Sequence, residues 1–230
     1  MKKRMNYKLS VSVVSFCLFV LWTLLVRVVD LRQIGPNGSA VGFGGFNGMV
    51  RDLIGVNMLL YDLTDILSII PICVAGGFGF LGLCQLIRRR SLFKVDKSIL
   101  LLGVFYILVI AVYLIFEVAV INYRPILIDG VLEASYPSST TLLVTCIMPT
   151  ALMQLRRIKN RAVNITLCLS IIAFTLFMVA ARVISGVHWA SDIIGGVLIS
   201  AALVSLYAWA IERFGDKSCK WLDREKPYNK

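Results

Sequence analysis

The chain alternates long apolar runs with short polar, mostly basic, segments, and that alternation predicts its architecture. Six stretches carry no charged residue over roughly the length a helix needs to cross a bilayer: Leu9–Val26, Ile66–Ile87, Ser98–Phe116, Ser138–Leu155, Ala162–Ala181 and Ile193–Ile211. The fourth is the least apolar, because it opens on hydroxyl residues. Between the first two runs, Gln33–Asn47 is rich in Gly and Asn, and Gly35-Pro36-Asn37-Gly38 is turn chemistry. Arg51–Asp65 mixes apolar residues with Asp52, Asp62 and Asp65, the pattern of a helix lying along the membrane surface. Pro71 and Gly76-Gly77 predict a kink or a close helix contact in the second run. The expectation is an all-α, polytopic membrane protein: six transmembrane helices in one bundle, a single domain over residues 1–230, plus a short outer interfacial helix.

Composition supports this class, since 58% hydrophobic and 16% charged residues lie outside the range of soluble domains. The net charge of +11 would fit a nucleic-acid binder, but its distribution points elsewhere. Nineteen of the 24 Lys and Arg fall in four clusters, at Lys2–Lys8, Arg88–Lys97, Arg156–Arg161 and Arg213–Lys230. Six spans place all four clusters on one side, which the positive-inside rule makes cytoplasmic, together with both termini. A seventh span over Arg51–Asp65 would put Arg156–Arg161 outside, against that rule. Arg27, Arg32, Arg51, Arg124 and Arg182 then face outward from the cell membrane. The basic excess records topology and contact with membrane lipid; no nucleic acid and no obligatory protein partner is indicated. Cys17, Cys73, Cys84, Cys146, Cys168 and Cys219 lie in spans or on the inner side, so no disulfide framework is expected. One His, no carboxylate cluster and no Cys motif predict no metal and no other cofactor. Met-Lys-Lys-Arg before an apolar run imitates a signal peptide, but the run is long and lacks a clear cleavage site, so a retained first span is expected.

Candidate chemistry gathers at three junctions between runs. Arg182 to Asp192 holds the single histidine, His188, with an arginine six residues before it and a carboxylate four after. If a helix begins near His188, Asp192 shares its face, accepts an imidazole N–H and fixes the tautomer. Arg182 then holds an anion near the other ring nitrogen. The plainer alternative is a set of juxtamembrane polar residues satisfied by headgroups and water. At the second junction Pro125 restricts Arg124 to extended conformations, so a helix should stop about there and present Arg124 at the surface. At the third, Pro137-Ser138-Ser139-Thr140 begins an apolar run: a helix N-terminus whose amides, with the Ser138 and Ser139 hydroxyls, either bind an anion or simply cap the helix. Together the junctions describe an oxyanion pocket, and phosphate is its commonest occupant.

At these residues the sequence resembles the type 2 phosphatidic acid phosphatase family, relatives of the vanadium haloperoxidases. That family carries Lys-x6-Arg-Pro, Pro-Ser-Gly-His and Ser-Arg-x5-His-x3-Asp, in that order. The third is matched by Ala181-Arg182-x5-His188-x3-Asp192 in every charged position. The first retains Arg124-Pro125 but has Glu117 at the lysine position; the second is Pro137-Ser138-Ser139-Thr140, with Thr140 where the family has histidine. By this resemblance His188 attacks phosphorus and Asp192 orients it, while Arg124, Arg182 and residues 138–140 hold the phosphoryl oxygens. The family's second-motif histidine protonates the leaving oxygen, which Thr140 cannot do. Glu117, two helical turns before Arg124, either pairs with it structurally or is a carboxylic acid of raised pKa.

The resemblance implies an integral-membrane phosphatase of lipid phosphates (phosphatidic acid, phosphatidylglycerol phosphate or a polyprenyl diphosphate) acting through a phosphohistidine at an outward-facing site. A catalytically impaired member that binds or moves lipid phosphates is the rival. A transporter or channel ranks last, since no run carries a mid-membrane charge.

Overall fold

The computed structural model describes residues 2–155 and 160–215. Most of the expected basic cluster at Arg156–Arg161, nearly all of Arg213–Lys230 and Cys219 lie outside the described residues. Eight α-helices form among the described residues: α1 (Lys2–Val28), α2 (Gly44–Ile54), α3 (Met58–Leu67), α4 (Ile69–Arg89), α5 (Lys97–Val118), α6 (Ser139–Leu155), α7 (Arg161–Ile184) and α8 (Ala190–Phe214). No strand forms among these residues beyond three isolated bridges. Five helical segments are long and apolar enough to cross a membrane: α1, α3–α4 taken together, α5, α7 and α8. The fourth apolar run becomes α6, which is shorter at 17 residues. The chain is a multi-pass, all-helical membrane protein.

Two boundaries differ from the sequence pattern for local reasons. The interfacial helix expected over Arg51–Asp65 is broken by Gly55 at φ +72°, which ends α2. Asn57 then caps α3, its side chain accepting the Leu60 amide at 3.0 Å, and α3 passes through Ser68 directly into α4. The third run also stops early. Helix α5 ends at Val118 rather than near Arg124, and residues 119–138 form an irregular connection pinned by bridges Tyr123–Ala134 and Ile128–Val131.

Without a hydrophobic drive between helices in lipid, small and hydroxyl residues decide how closely they pack. Helix α8 is the axis. Helix α1 runs antiparallel along it, with Ser12 Oγ donating to the Ala202 carbonyl (2.9 Å) and Trp22 Nε1 to that of Ser191 (3.0 Å). Lys8 and Glu212 pair at the end remote from the candidate site. Helix α6 lies parallel to α8, with Thr145 Oγ1 donating to Ser200 Oγ at 2.7 Å and Gln154 bonded to Tyr207. Gly195 makes room on α8 for a ring: a Cβ there would sit 2.5 Å from Tyr136 Cε2. Tyr136 is thereby held in the core beside Phe19 and Leu142, its hydroxyl 2.7 Å from Thr23 Oγ1.

The turn between α7 and α8 is fixed from outside. Gly186 has φ +66°, and a Cβ on it would fall 2.0 Å from the Gly55 carbonyl oxygen. The Asn57 amide donates to the Ser185 carbonyl at 2.9 Å, so the break between α2 and α3 seats on this turn. Asn47 of α2 brackets Ser191, donating to its Oγ at 2.9 Å and accepting its amide at 3.1 Å. These contacts fix the start of α8, and Trp189 Nε1 ties it to the 119–138 connection by donating to the Tyr123 carbonyl at 2.7 Å.

Candidate active site

His188 sits in the turn before α8 and is 5% exposed. Its Nδ1 is 2.9 Å from Ser135 Oγ, and that same hydroxyl donates to Asp192 Oδ2 at 2.5 Å. A hydroxyl has one proton, and the carboxylate takes it, so Ser135 accepts from the ring and Nδ1 carries the imidazole hydrogen. Nε2 is left as a bare lone pair, buried and without a hydrogen-bond partner. The expected direct contact between His188 and Asp192 is therefore replaced by a serine bridge. The reason is the helix boundary: α8 begins at Ala190, so His188 lies outside it and helical periodicity does not govern its side chain. Asp192 is satisfied elsewhere too, by Asn122 Nδ2 at 3.0 Å and the Trp189 amide at 3.1 Å.

Arg124 reaches the same place from the 119–138 connection. Its amide donates to the Glu133 carbonyl at 3.0 Å, and its Nε lies 3.1 Å from Glu133 Oε2 as an ion pair without hydrogen-bond alignment. Its Nη1 is buried without a hydrogen-bond partner. The pairing expected between Arg124 and Glu117 is not the one formed. Helix α5 stops before Arg124, so the two residues do not share a helical face. Instead Arg124, Glu117, Glu133, Ser135, Ser139 and His188 line one chamber of about 240 Å³.

The ring's surroundings keep it neutral. Burial foremost, then the positive charges of Arg124 and Arg182, hold the His188 pKa well below its ordinary value, against a raising contribution from Ser135. A neutral imidazole with Nδ1–H anchored and Nε2 free has the protonation state a nucleophile needs.

Arg182 is placed differently from expectation. It is 1% exposed, and its guanidinium donates to Thr64 Oγ1 (3.1 Å) and Thr140 Oγ1 (2.5 Å) and pairs with Asp65 (3.4 Å). Tyr61 lies beneath it, with its ring centroid 4.9 Å from Cζ. A buried guanidinium needs several acceptors; α3 supplies Thr64 and Asp65 and α6 supplies Thr140, while Nε stays buried without a hydrogen-bond partner. Arg182 thus stands behind the chamber, close enough to act on His188 electrostatically while Arg124 lines the chamber itself.

The helix N-terminus divides by residue. The Ser138 amide donates to the Asp192 carbonyl at 3.2 Å and its Oγ accepts from Thr141 at 3.1 Å, so Ser138 ties α6 to α8. Ser139 faces both the chamber and a neighbouring cavity of about 300 Å³. That second cavity is bounded by Ile72, Val109, Ile110, Leu143, Asp65 and Thr140. Thr140 therefore faces Arg182 and the second cavity, away from the chamber. Sequence reasoning missed Ser135, Asn122, Glu133 and the Tyr61–Thr64–Asp65 set. Only Asn122 and Ser135 carried a signal, as polar residues flanking Arg124-Pro125 and Pro137.

The fold and this geometry define a multi-pass helical membrane protein with a buried histidine and an arginine facing a common chamber. The model of the PAP2 superfamily matches residues 118–216, the stretch holding Arg124-Pro125, Pro137–Thr140 and Arg182 through Asp192. Glu117 lies one residue before the matched stretch. The overall fold is similar to that of the crystal structure of the first transmembrane PAP2 type phosphatidylglycerolphosphate phosphatase from Bacillus subtilis, with TM-score 0.63 and 14% identity, covering 90% of this chain and 99% of that one. No curated protein matches the sequence.

Proposed function

We propose that the protein is an integral-membrane phosphatase of lipid phosphates, with His188 as nucleophile. Phosphatidic acid, phosphatidylglycerol phosphate and polyprenyl diphosphates are the candidate substrates, and the chamber faces outward from the cell membrane with both termini inside. The observation that carries this reading is the buried His188, with Nδ1–H held by Ser135 and Asp192 and Nε2 unpartnered in a chamber shared with Arg124.

In the reaction, the Nε2 lone pair forms a bond to phosphorus as the bond to the leaving oxygen breaks, giving a phosphohistidine. Arg124 holds the phosphoryl oxygens, with the Ser139 amide beside it at the start of α6. Asp192, through Ser135, stabilises the positive charge that grows on the ring. Water then cleaves the N–P bond and releases phosphate. Arg182 acts from behind by fixing Thr140 and the α3 wall.

The test is phosphate release by purified protein in lipid nanodiscs. Phosphate is expected from at least one lipid phosphate, none is expected from His188→Ala, and acid-labile phosphate should be trapped on wild type. Full activity in His188→Ala would overturn the mechanism. Tight lipid-phosphate binding with no turnover would instead establish the impaired, binding-only reading.

A further inference from the structure

Arg124 and Arg182 reach the site on different elements, and each keeps buried donors without a hydrogen-bond partner: Nε and Nη1 of Arg124, and Nε of Arg182. The two cations stand close enough to repel one another. One side chain touches both. It is Tyr61 of α3, whose half-buried ring has the Arg182 Cζ over it at 4.9 Å and the Arg124 Cζ at 5.8 Å. Local structure puts the ring there. Gly55 ends α2, Asn57 caps α3 and donates its amide to the Ser185 carbonyl at 2.9 Å, and Tyr61 follows one turn on, its own amide bonded to the Asn57 carbonyl at 3.1 Å. Thr64 and Asp65, three and four residues further, share the face of Tyr61 and hold the Arg182 guanidinium.

A ring differs from a carboxylate as a partner in a way that matters to an anion site. A carboxylate accepts guanidinium N–H groups and adds a negative charge that an incoming phosphoryl group must face. An aromatic face attracts the cation through its quadrupole, brings no net charge and leaves the N–H groups at the guanidinium edge unspent.

We propose that Tyr61 is a positioning residue for the oxyanion site: its ring holds the Arg124 and Arg182 guanidiniums together against their repulsion, so that Arg124 offers its N–H groups to a phosphoryl oxygen while Arg182 adds its charge from behind. The inference rests on the chamber being a phosphoryl site, and it goes beyond that reading by extending the site to α3. Tyr61 lies outside the stretch matched by the family model, residues 118–216. The earlier part of the chain therefore takes part in anion binding, in addition to packing against the elements that carry the motifs.

The experiment measures binding of orthovanadate, a mimic of the phosphoryl group, to the full chain in nanodiscs, alongside phosphate release. Tyr61→Phe keeps the ring and should hold the vanadate dissociation constant within about twofold of wild type. Tyr61→Leu should raise it by about five- to thirtyfold, the factor that a desolvated cation–π contact corresponds to. Because leucine also changes packing, the deciding measurement places phenylalanines with progressively more ring fluorines at position 61. They keep the shape of the ring and drain its face of negative charge. The dissociation constant should climb along that series at an unchanged melting temperature, and less steeply in Arg124→Gln, where one of the two cations is gone. A flat series overturns the proposal, and so does a slope undiminished in Arg124→Gln. A Tyr61→Phe variant as weak as Tyr61→Leu also overturns it, by assigning the effect to the hydroxyl. Failure of wild type to bind vanadate removes the proposal together with the phosphoryl site. Vanadate binding without phosphate release from lipid phosphates removes the phosphatase reading alone, and the fluorine series still decides the role of Tyr61.

Discussion

At the scale of single residues, Ser135 carries the most consequence. It is 2% exposed, and its one hydroxyl joins His188 to Asp192. Ser135→Ala is expected to cut kcat by roughly 10²–10⁴-fold, the range for lost proton-transfer support and a wrongly set tautomer, with KM little changed. Ser135→Thr should restore part of the rate because it returns the hydroxyl. Combining Ser135→Ala with Asp192→Asn should cost little beyond either alone, since the two act as one unit; additive losses in this cycle would show that Ser135 does not relay Asp192. The protonation of His188 gives a second prediction. Burial, Arg124 and Arg182 all keep the proton off the ring, so the neutral, nucleophilic form persists as pH falls below the ordinary histidine range. The acid limb of kcat/KM should therefore lie below about pH 6.5. In Arg124→Gln one repelling charge is gone, the ring protonates more readily, and the limb should move to higher pH. A limb that stays in place in Arg124→Gln would contradict this electrostatic account.

These residues also show what a sequence makes legible. His188, Asp192, Arg124 and Arg182 are recognisable from identity and spacing, but their partners are not. Periodicity pairs residues only when both lie in one helix. His188 precedes α8 and Arg124 follows α5, so two expected pairs were replaced by Ser135 and Glu133. Glu133 meets Arg124 because Tyr123 bridges to Ala134, a pairing in an irregular connection that no local pattern announces.

At the scale of elements, α3 and the turn before α8 are interlocked. Gly186→Ala would force an L-residue into positive φ and drive a methyl into the Gly55 carbonyl. It is expected to lower the unfolding temperature measurably, by at least the effect of about 1–3 kcal/mol attached to such strained backbone, and to reduce activity in parallel because His188 lies two residues on. An unchanged melting temperature would mean the seat is softer than described. Helix α3 also sets the outlook for Thr140. A family-based argument favours Thr140→His as a restored acid. Here that imidazole would take the place where Thr140 Oγ1 accepts from Arg182, facing the second cavity. Thr140→His is expected to disturb Arg182 and lower phosphate release rather than raise it; a gain on monoesters would show that the new ring turns into the chamber. The break at Gly55 was unreadable as such, because an amphipathic stretch with a single Gly satisfies the helix pattern equally well.

At the scale of the whole molecule, the six charge-free runs correspond to α1, α4, α5, α6, α7 and α8, since charge exclusion over a membrane's thickness needs no tertiary information. The side each end faces is an expectation from the basic clusters alone, and it yields a labelling prediction. In a cysteine-free background, cysteines at Gln33 and Leu127, both exposed near the candidate site, should react with an impermeant thiol reagent in intact cells. One at Asn160, the cap of α7 at the opposite end, should not. Labelling of Asn160 alone would invert the molecule.

The length of α6 has a further consequence. Its first residue, Ser139, shares both cavities with Tyr113 of α5, while α5 continues to Val118. Five more residues of helix rise about 7 Å, so the floor of the chamber lies that far below the rim of its neighbour. If the end of α5 at Val118 marks the level of the surrounding headgroups, a phosphorus atom bound there is expected beneath their plane, where a lipid's polar portion joins its chains. Selection by depth follows: lipids with phosphorus directly at that junction reach the floor while their chains stay in the leaflet, whereas those carrying it on a long polar spacer must be pushed down past their resting level. Thickening the bilayer with longer acyl chains should raise the lipid relative to the floor and slow turnover, without any change in the protein.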